Sequence, residues 1–254
     1  MLTKTLNLRN IVAIAICLKS ITAFALCGIG NEFQNRETVF LLKEIEYSDG
    51  ERAVYEYDNQ NRITKYTIYG DDGEPYWVST YTYNAQGDLV EQEENDVKIT
   101  FTKNGNKITF VDEDGGYTEI ELNAQGFPVK DTYLWEWVNE NSKFWSKSTT
   151  TLTWHNGNLV KTEAEDEWEE DSESGSETSS ITYSYDDKKA PLYYCKTPKW
   201  FLWWDGYNIT NNIKTWDRES FDVTYEYTYD DDGFPVTRKV SNNDITDKYI
   251  YIKK

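Results

Sequence analysis

The chain carries a single histidine, His155, and three cysteines. A histidine-based metal site or proton relay needs more than one imidazole. His155 stands in "WHNGN", beside turn residues, where it reads as a solvated loop side chain. No nucleophile elbow surrounds a serine. Carboxylates are the abundant reactive groups, 45 Asp and Glu against 26 Lys and Arg. Glycoside hydrolysis needs two of them held at a set separation, and nothing in the spacing singles out a pair. "DEDGG" at 112–116 and "DDDG" at 230–233 hold part of a calcium loop. Both lack the full ligand spacing and the terminal Glu, so they read as turns. No catalytic residue, metal ligand or cofactor follows from these patterns.

Aromatic residues offer a second kind of chemistry. They make up 16% of the chain, and "WFLWW" at 200–204 concentrates them. In a strand, Trp200, Leu202 and Trp204 would face one way and Phe201 and Trp203 the other. One sheet wall with one wet face cannot hide both sets. Trp145 poses the same problem, because its neighbours by parity are Lys147 and three threonines. Exposed indoles stack on sugar rings. Trp203, Trp204, Trp200, Trp145 and Trp216 are therefore the expected ligand-binding residues, and flat neutral sugars the ligand they suit.

The elements that would position them are strands. In "FDVTYEYTYDDDGFPVTRKV" at 221–240, Phe221, Val223, Tyr225, Tyr227 and Tyr229 share one face and Asp222, Thr224, Glu226 and Thr228 the other. "DDDG" then turns the chain. The same frame recurs in "YEYDNQNRIT" at 55–64, "YTYNAQGDLV" at 81–90 and "IELNAQGFPV" at 120–129, with shorter turns in "FTKNGNKIT" at 101–109 and "LTWHNGNLV" at 152–160. Roughly 14 to 18 strands are expected at this spacing, including stretches at 192–195 and 200–204. So many strands joined by short turns imply an all-β antiparallel meander closed into a flattened β-barrel, its aromatic walls packed together. With Thr and Glu on the outer face, the barrel reads as soluble rather than membrane-spanning. "EAEDEWEEDSESGSE" at 163–177 reads as a flexible acidic loop.

Lys4 and Arg9 precede the apolar "IVAIAICL" at 11–18, and "AFA" at 23–25 supplies small residues for cleavage, so 1–25 reads as an export signal. Residues 26–38 follow as a tether, and 39–254 as a single barrel domain. "FALC" at 24–27 resembles the lipid-attachment box of bacterial lipoproteins, with Leu26 where Gly or Ala usually stands. Cys27 is thus a candidate for lipidation, or for a disulfide with Cys195. The formal charge is −19. Removing 1–25 takes away Lys4, Arg9 and Lys19 and no acid, leaving −22. That charge argues against nucleic acid as a partner and against membrane insertion beyond a lipid anchor.

The Tyr-x-Tyr-Asp frame resembles the YD repeats of Rhs-type shell proteins. The hairpin series behind an export signal is similar to a family of secreted Bacteroides-type proteins of unknown function with a porin-like β-barrel fold. That resemblance implies a barrel in the periplasm, at the cell surface or outside a Gram-negative bacterium, and it transfers no activity and no site residue. The expected function is a non-enzymatic binding or scaffold module for a glycan or another cell-surface component. A carboxylate-dependent glycan hydrolase and an outer-membrane channel are the alternatives.

Overall fold

A computed structural model describes residues 38–138, 143–171, 173–204, 206, 208–218, 221–241 and 246–254. The export signal, Cys27 and all but the last residue of the tether lie outside the described residues. Among the described residues, seventeen strands and one short helix follow in order. They begin with β1 (Phe40–Glu46), β2 (Arg52–Tyr57), β3 (Ile63–Tyr69), β4 (Pro75–Tyr83), β5 (Leu89–Glu94) and β6 (Val97–Thr100). Next come β7 (Thr102–Asn104), β8 (Lys107–Val111), β9 (Tyr117–Leu122), β10 (Pro128–Val138), β11 (Lys143–His155) and β12 (Asn158–Glu170). β13 (Glu173–Lys189), α1 (Lys199–Trp204), β14 (Asn211–Arg218), β15 (Phe221–Tyr229), β16 (Pro235–Val240) and β17 (Thr246–Lys253) complete the chain.

Consecutive strands pair antiparallel, and β17 returns to pair with β1, which nearly closes the sheet into a barrel. The line is interrupted at Phe101, where β6 stays with β5 and β7 goes with β8. Among the described residues, no helix is long and apolar enough to cross a membrane.

The recurring frame is a recurring turn. Asp58, Asn84, Asp112, Asn123 and Asp230 each accept hydrogen bonds from the backbone N–H groups two and four residues ahead. Such Asx bonds hold the turn without help from the rest of the fold. The closing position is left-handed, which suits Gly233 (φ 81) and is tolerated by Asn61 (φ 64).

An apolar pair follows most of these turns, and it marks a β-bulge. One extra residue there aims a carbonyl away from the ladder, and an aromatic donor on the next strand receives it. Tyr57 Oη donates to Leu42 O (2.8 Å), Tyr83 Oη to Ile63 O (2.7 Å) and Tyr185 Oη to Leu159 O (2.7 Å). Tyr227 Oη does the same for Ile213 O (3.0 Å), Tyr251 Oη for Pro235 O (2.9 Å) and Trp154 Nε1 for Pro128 O. Register shifts fall beside all six carbonyls. A buried carbonyl left unpaired would be costly, so the frame uses Tyr where Phe would fill the same space.

Three expectations are corrected. Stretches 192–195 and 200–204 are not strands. Between β13 and β14 the described residues of 190–210 leave the sheet and fold inward as a plug, with α1 at its centre. Trp200, Phe201 and Leu202 are 4%, 1% and 1% exposed. Phe201 packs on Tyr81 (ring centroids 5.3 Å apart), Trp200 on Phe101 (5.2 Å) and Trp204 on Phe110 (5.1 Å). A helix apolar on every side belongs inside a protein, and wall residues surround it, so both sets of rings in "WFLWW" are covered. The aromatic walls therefore pack on this plug rather than on one another. Thr197 Oγ1 pins it, accepting from Ile63 N at 2.9 Å.

The acidic run 163–177 is not a loop either. It forms the ends of β12 and β13, paired from Lys161–Thr182 out to Glu170–Glu173. Alternation lets carboxylates stand in water on both faces while the backbone pairs, and Trp168 lies over Gly175.

Candidate functional site

The plug does not fill the lumen completely. Between it and the wall formed by β11–β14 lies a cavity of about 250 Å³. Trp154, Tyr183 and Tyr185 face it from the wall with Asn158, and Trp203 and Asn208 face it from the plug. β-strand alternation sets Tyr183 and Tyr185 on the lumen side together. Helical geometry sends Trp203 away from the buried trio Trp200, Phe201 and Leu202 and toward this gap.

Several polar groups at the cavity are already committed. Tyr185 Oη and Trp154 Nε1 serve bulge carbonyls. Asn158 exchanges bonds with Asn211, donating from Nδ2 to Oδ1 (2.8 Å) and accepting from Asn211 N (3.1 Å). Burial raises the Tyr183 phenol above its ordinary value, so it stays neutral. The indole of Trp203 and the amide of Asn208 have no hydrogen-bond partner among the described residues. The cavity thus offers flat apolar walls with two uncommitted polar groups.

Of the five tryptophans expected to bind ligand, Trp203 alone lines this cavity. Trp216 lies next to it on the lumen face, cross-strand from Tyr183, with a buried Nε1 that has no partner among the described residues. Trp200 and Trp204 are not an exposed platform but pack in the core around Phe101. Trp145 points to the outer face and donates to Glu169 (2.9 Å). Cys195 is a half-buried free thiol in the plug, its pKa raised by desolvation. The reading of the residues alone missed Trp154, Tyr183, Tyr185, Asn158 and Asn208. The aromatic three were visible as frame residues, whereas no local signal marked the asparagines.

Further ionisable groups face the lumen away from this cavity. Arg238 donates to Asp247 Oδ2 from Nε (3.0 Å) and Nη2 (2.6 Å), a half-buried guanidinium on a buried carboxylate. Asp131 faces inward with its pKa pushed up to about 6 by desolvation, and no neighbouring carboxylate contributes to that shift. Glu94 is raised by burial and by the charge of Glu113, beside Ser79 and Gln92. Among the described residues no group of His, Cys, Asp and Glu could hold a metal ion.

No family model matches the chain, and no curated protein does. Solved structures do. One is a porin-like protein from Bacteroides uniformis, 16% identical, covering 84% of this chain and 95% of that one with a TM-score of 0.32. Another is a porin-like protein from Bacteroides vulgatus, 9% identical, covering 84% and 99% with a TM-score of 0.37.

Proposed function

We propose that the chain is an exported, non-enzymatic binding module, and that its ligand is a neutral sugar unit held between Trp203 and the wall aromatics. The observation that carries the reading is the cavity beside the plug, with aromatic faces and a Trp203 indole and Asn208 amide that have no hydrogen-bond partner among the described residues. Rings of Trp and Tyr stack on the C–H faces of a sugar, while amide and indole groups orient its hydroxyls. The size of the cavity, about 250 Å³, suits a single sugar or the end of a glycan better than a long chain. The charge of −22 without residues 1–25 disfavours an anionic ligand. Export rests on the N-terminal pattern of Lys4, Arg9 and the apolar run 11–18.

The test is a neutral-glycan array on residues 26–254, followed by titration of any hit. Trp203→Ala and Asn208→Ala should each weaken binding by about 1 kcal/mol or more, while Trp145→Ala on the outer wall should leave it unchanged. Equal affinity of all three variants and the unaltered chain would remove the cavity from consideration. So would the absence of any glycan hit.

A further inference from the structure

Beyond the barrel rim, four strands continue alone. β9 stops pairing with β10 at Tyr117–Leu134, and β14 stops pairing with β13 at Arg218–Ile181. The far parts of β10, β11, β12 and β13 pair only with one another. Register places Trp135, Trp137, Phe144 and Trp168 on one face of this extension, continuous with the lumen wall below. Trp135 and Trp168 flank Ser146 from either side, and Trp137 stands opposite Phe144. Trp137 is 45% exposed and Trp168 37%. The rings are nonetheless seated. Trp135 lies tilted against Phe144 (ring centroids 5.4 Å apart) and donates to Asp114 O (3.3 Å). Trp168 lies so close to Gly175 that a Cβ there would come within 2.8 Å of the indole.

The same face carries Asp166, Glu170, Glu173 and Glu177. They oppose one another directly, Asp166 across from Glu177 and Glu170 across from Glu173. Like charges directly opposite destabilise a sheet. The two lysines of the extension lie on the other face, where Lys147 pairs with Glu167 (3.2 Å). Aromatic rings and carboxylates thus share one open surface with no cation on it among the described residues.

We propose that this face docks a lysine- or arginine-rich segment of a partner protein. Ring faces attract ammonium and guanidinium groups, the long apolar stems of those side chains cover exposed indole, and the opposed acid pairs gain the counter-charge they lack. Trp135 and Trp137 are about 7 Å apart along β10. Alternate side chains of an extended peptide laid along that strand have the same spacing.

The probe is a peptide of alternating Lys and Thr, titrated into the protein while tryptophan fluorescence is followed, with Gln–Thr and Glu–Thr peptides in parallel. The Lys peptide should bind and the other two should not. Trp137→Ala with Trp168→Ala, and separately Glu170→Gln with Glu173→Gln, should each weaken it by about tenfold. Glu136→Gln with Glu165→Gln removes the same charge from the opposite face and should change affinity by less than about twofold. The glutamine pair relieves repulsion, so that variant stays folded even if the tryptophan pair does not. Equal loss in both charge variants would mean general attraction to an acidic protein and overturn the proposal. Binding of the Gln peptide as tight as the Lys peptide would instead assign the face to neutral ligands, and no binding of either would also refute it.

Discussion

Tyr83→Phe removes one oxygen and should be felt throughout the barrel. Tyr83 Oη donates to the bulge carbonyl of Ile63 (2.7 Å) and lies 3.1 Å from Thr197 Oγ1, which in turn receives Ile63 N. That oxygen therefore joins two wall strands to the plug. Burial holds the phenol well above its ordinary pKa, as expected of a neutral donor in a water-poor site. Phenylalanine keeps the ring, including the face on which the Arg62 guanidinium rests at 4.3 Å. What is lost is the partner of a carbonyl that water reaches poorly, a cost of about 1–3 kcal/mol. A domain of this size melts about 2–4 °C lower for each kcal/mol lost, so the midpoint should fall by roughly 2–12 °C. The assay is thermal unfolding followed by near-ultraviolet circular dichroism, with Tyr117→Phe as the reference for an exposed ring. Tyr117→Phe should stay within about 0.5 kcal/mol of the unaltered protein. If the two variants melt together, the bulge carbonyls do not depend on the tyrosines, and the account of the frame given above fails.

Phe201→Ala in the plug should cost about 3–5 kcal/mol, read from the urea midpoint, because the surrounding aromatic packing cannot close the gap. Asp131→Asn should raise stability at pH 7 by on the order of 2 kcal/mol, since the folded carboxyl titrates at about 6 rather than 3.8. A raised folded value gives a contribution complete below the unfolded value and lost as pH climbs through 6, so the difference between the two proteins should shrink toward pH 4. Burial likewise raises the phenols of Tyr57, Tyr83, Tyr185, Tyr227, Tyr249 and Tyr251 above 10.0. Their contribution is intact below pH 10 and falls above it, so alkaline unfolding should coincide with the appearance of tyrosinate absorbance.

The hairpins were legible because everything that makes them is local. Asp58, Asn84, Asn123 and Asp230 build their turns from bonds to residues at most four positions away, and alternation assigns Tyr225, Tyr227 and Tyr229 to one face without further information. Strand number and antiparallel order follow from short turns. The acidic run was misread because composition measures what a segment can bury, whereas 163–177 is held by backbone pairing in register and by one indole on one glycine. The plug was misread for a different reason. Six residues of "KWFLWW" show too little of a helical period to distinguish it from a strand.

The sequence by itself therefore determined the repeating unit, its turns and the division of each strand into a wet and an aromatic face, since those depend on contacts a few residues apart. Tertiary structure alone decided where each ring went. Trp200 and Trp204 entered the core, Trp203 reached a cavity with Trp154 and Tyr183, and Trp145 turned outward. Those fates depend on bulge positions and strand register, which compare residues far apart in the chain. The tyrosine hydroxyls bridge the two levels: their spacing is written locally, but the carbonyl each one satisfies lies on another strand, 14 to 26 residues away.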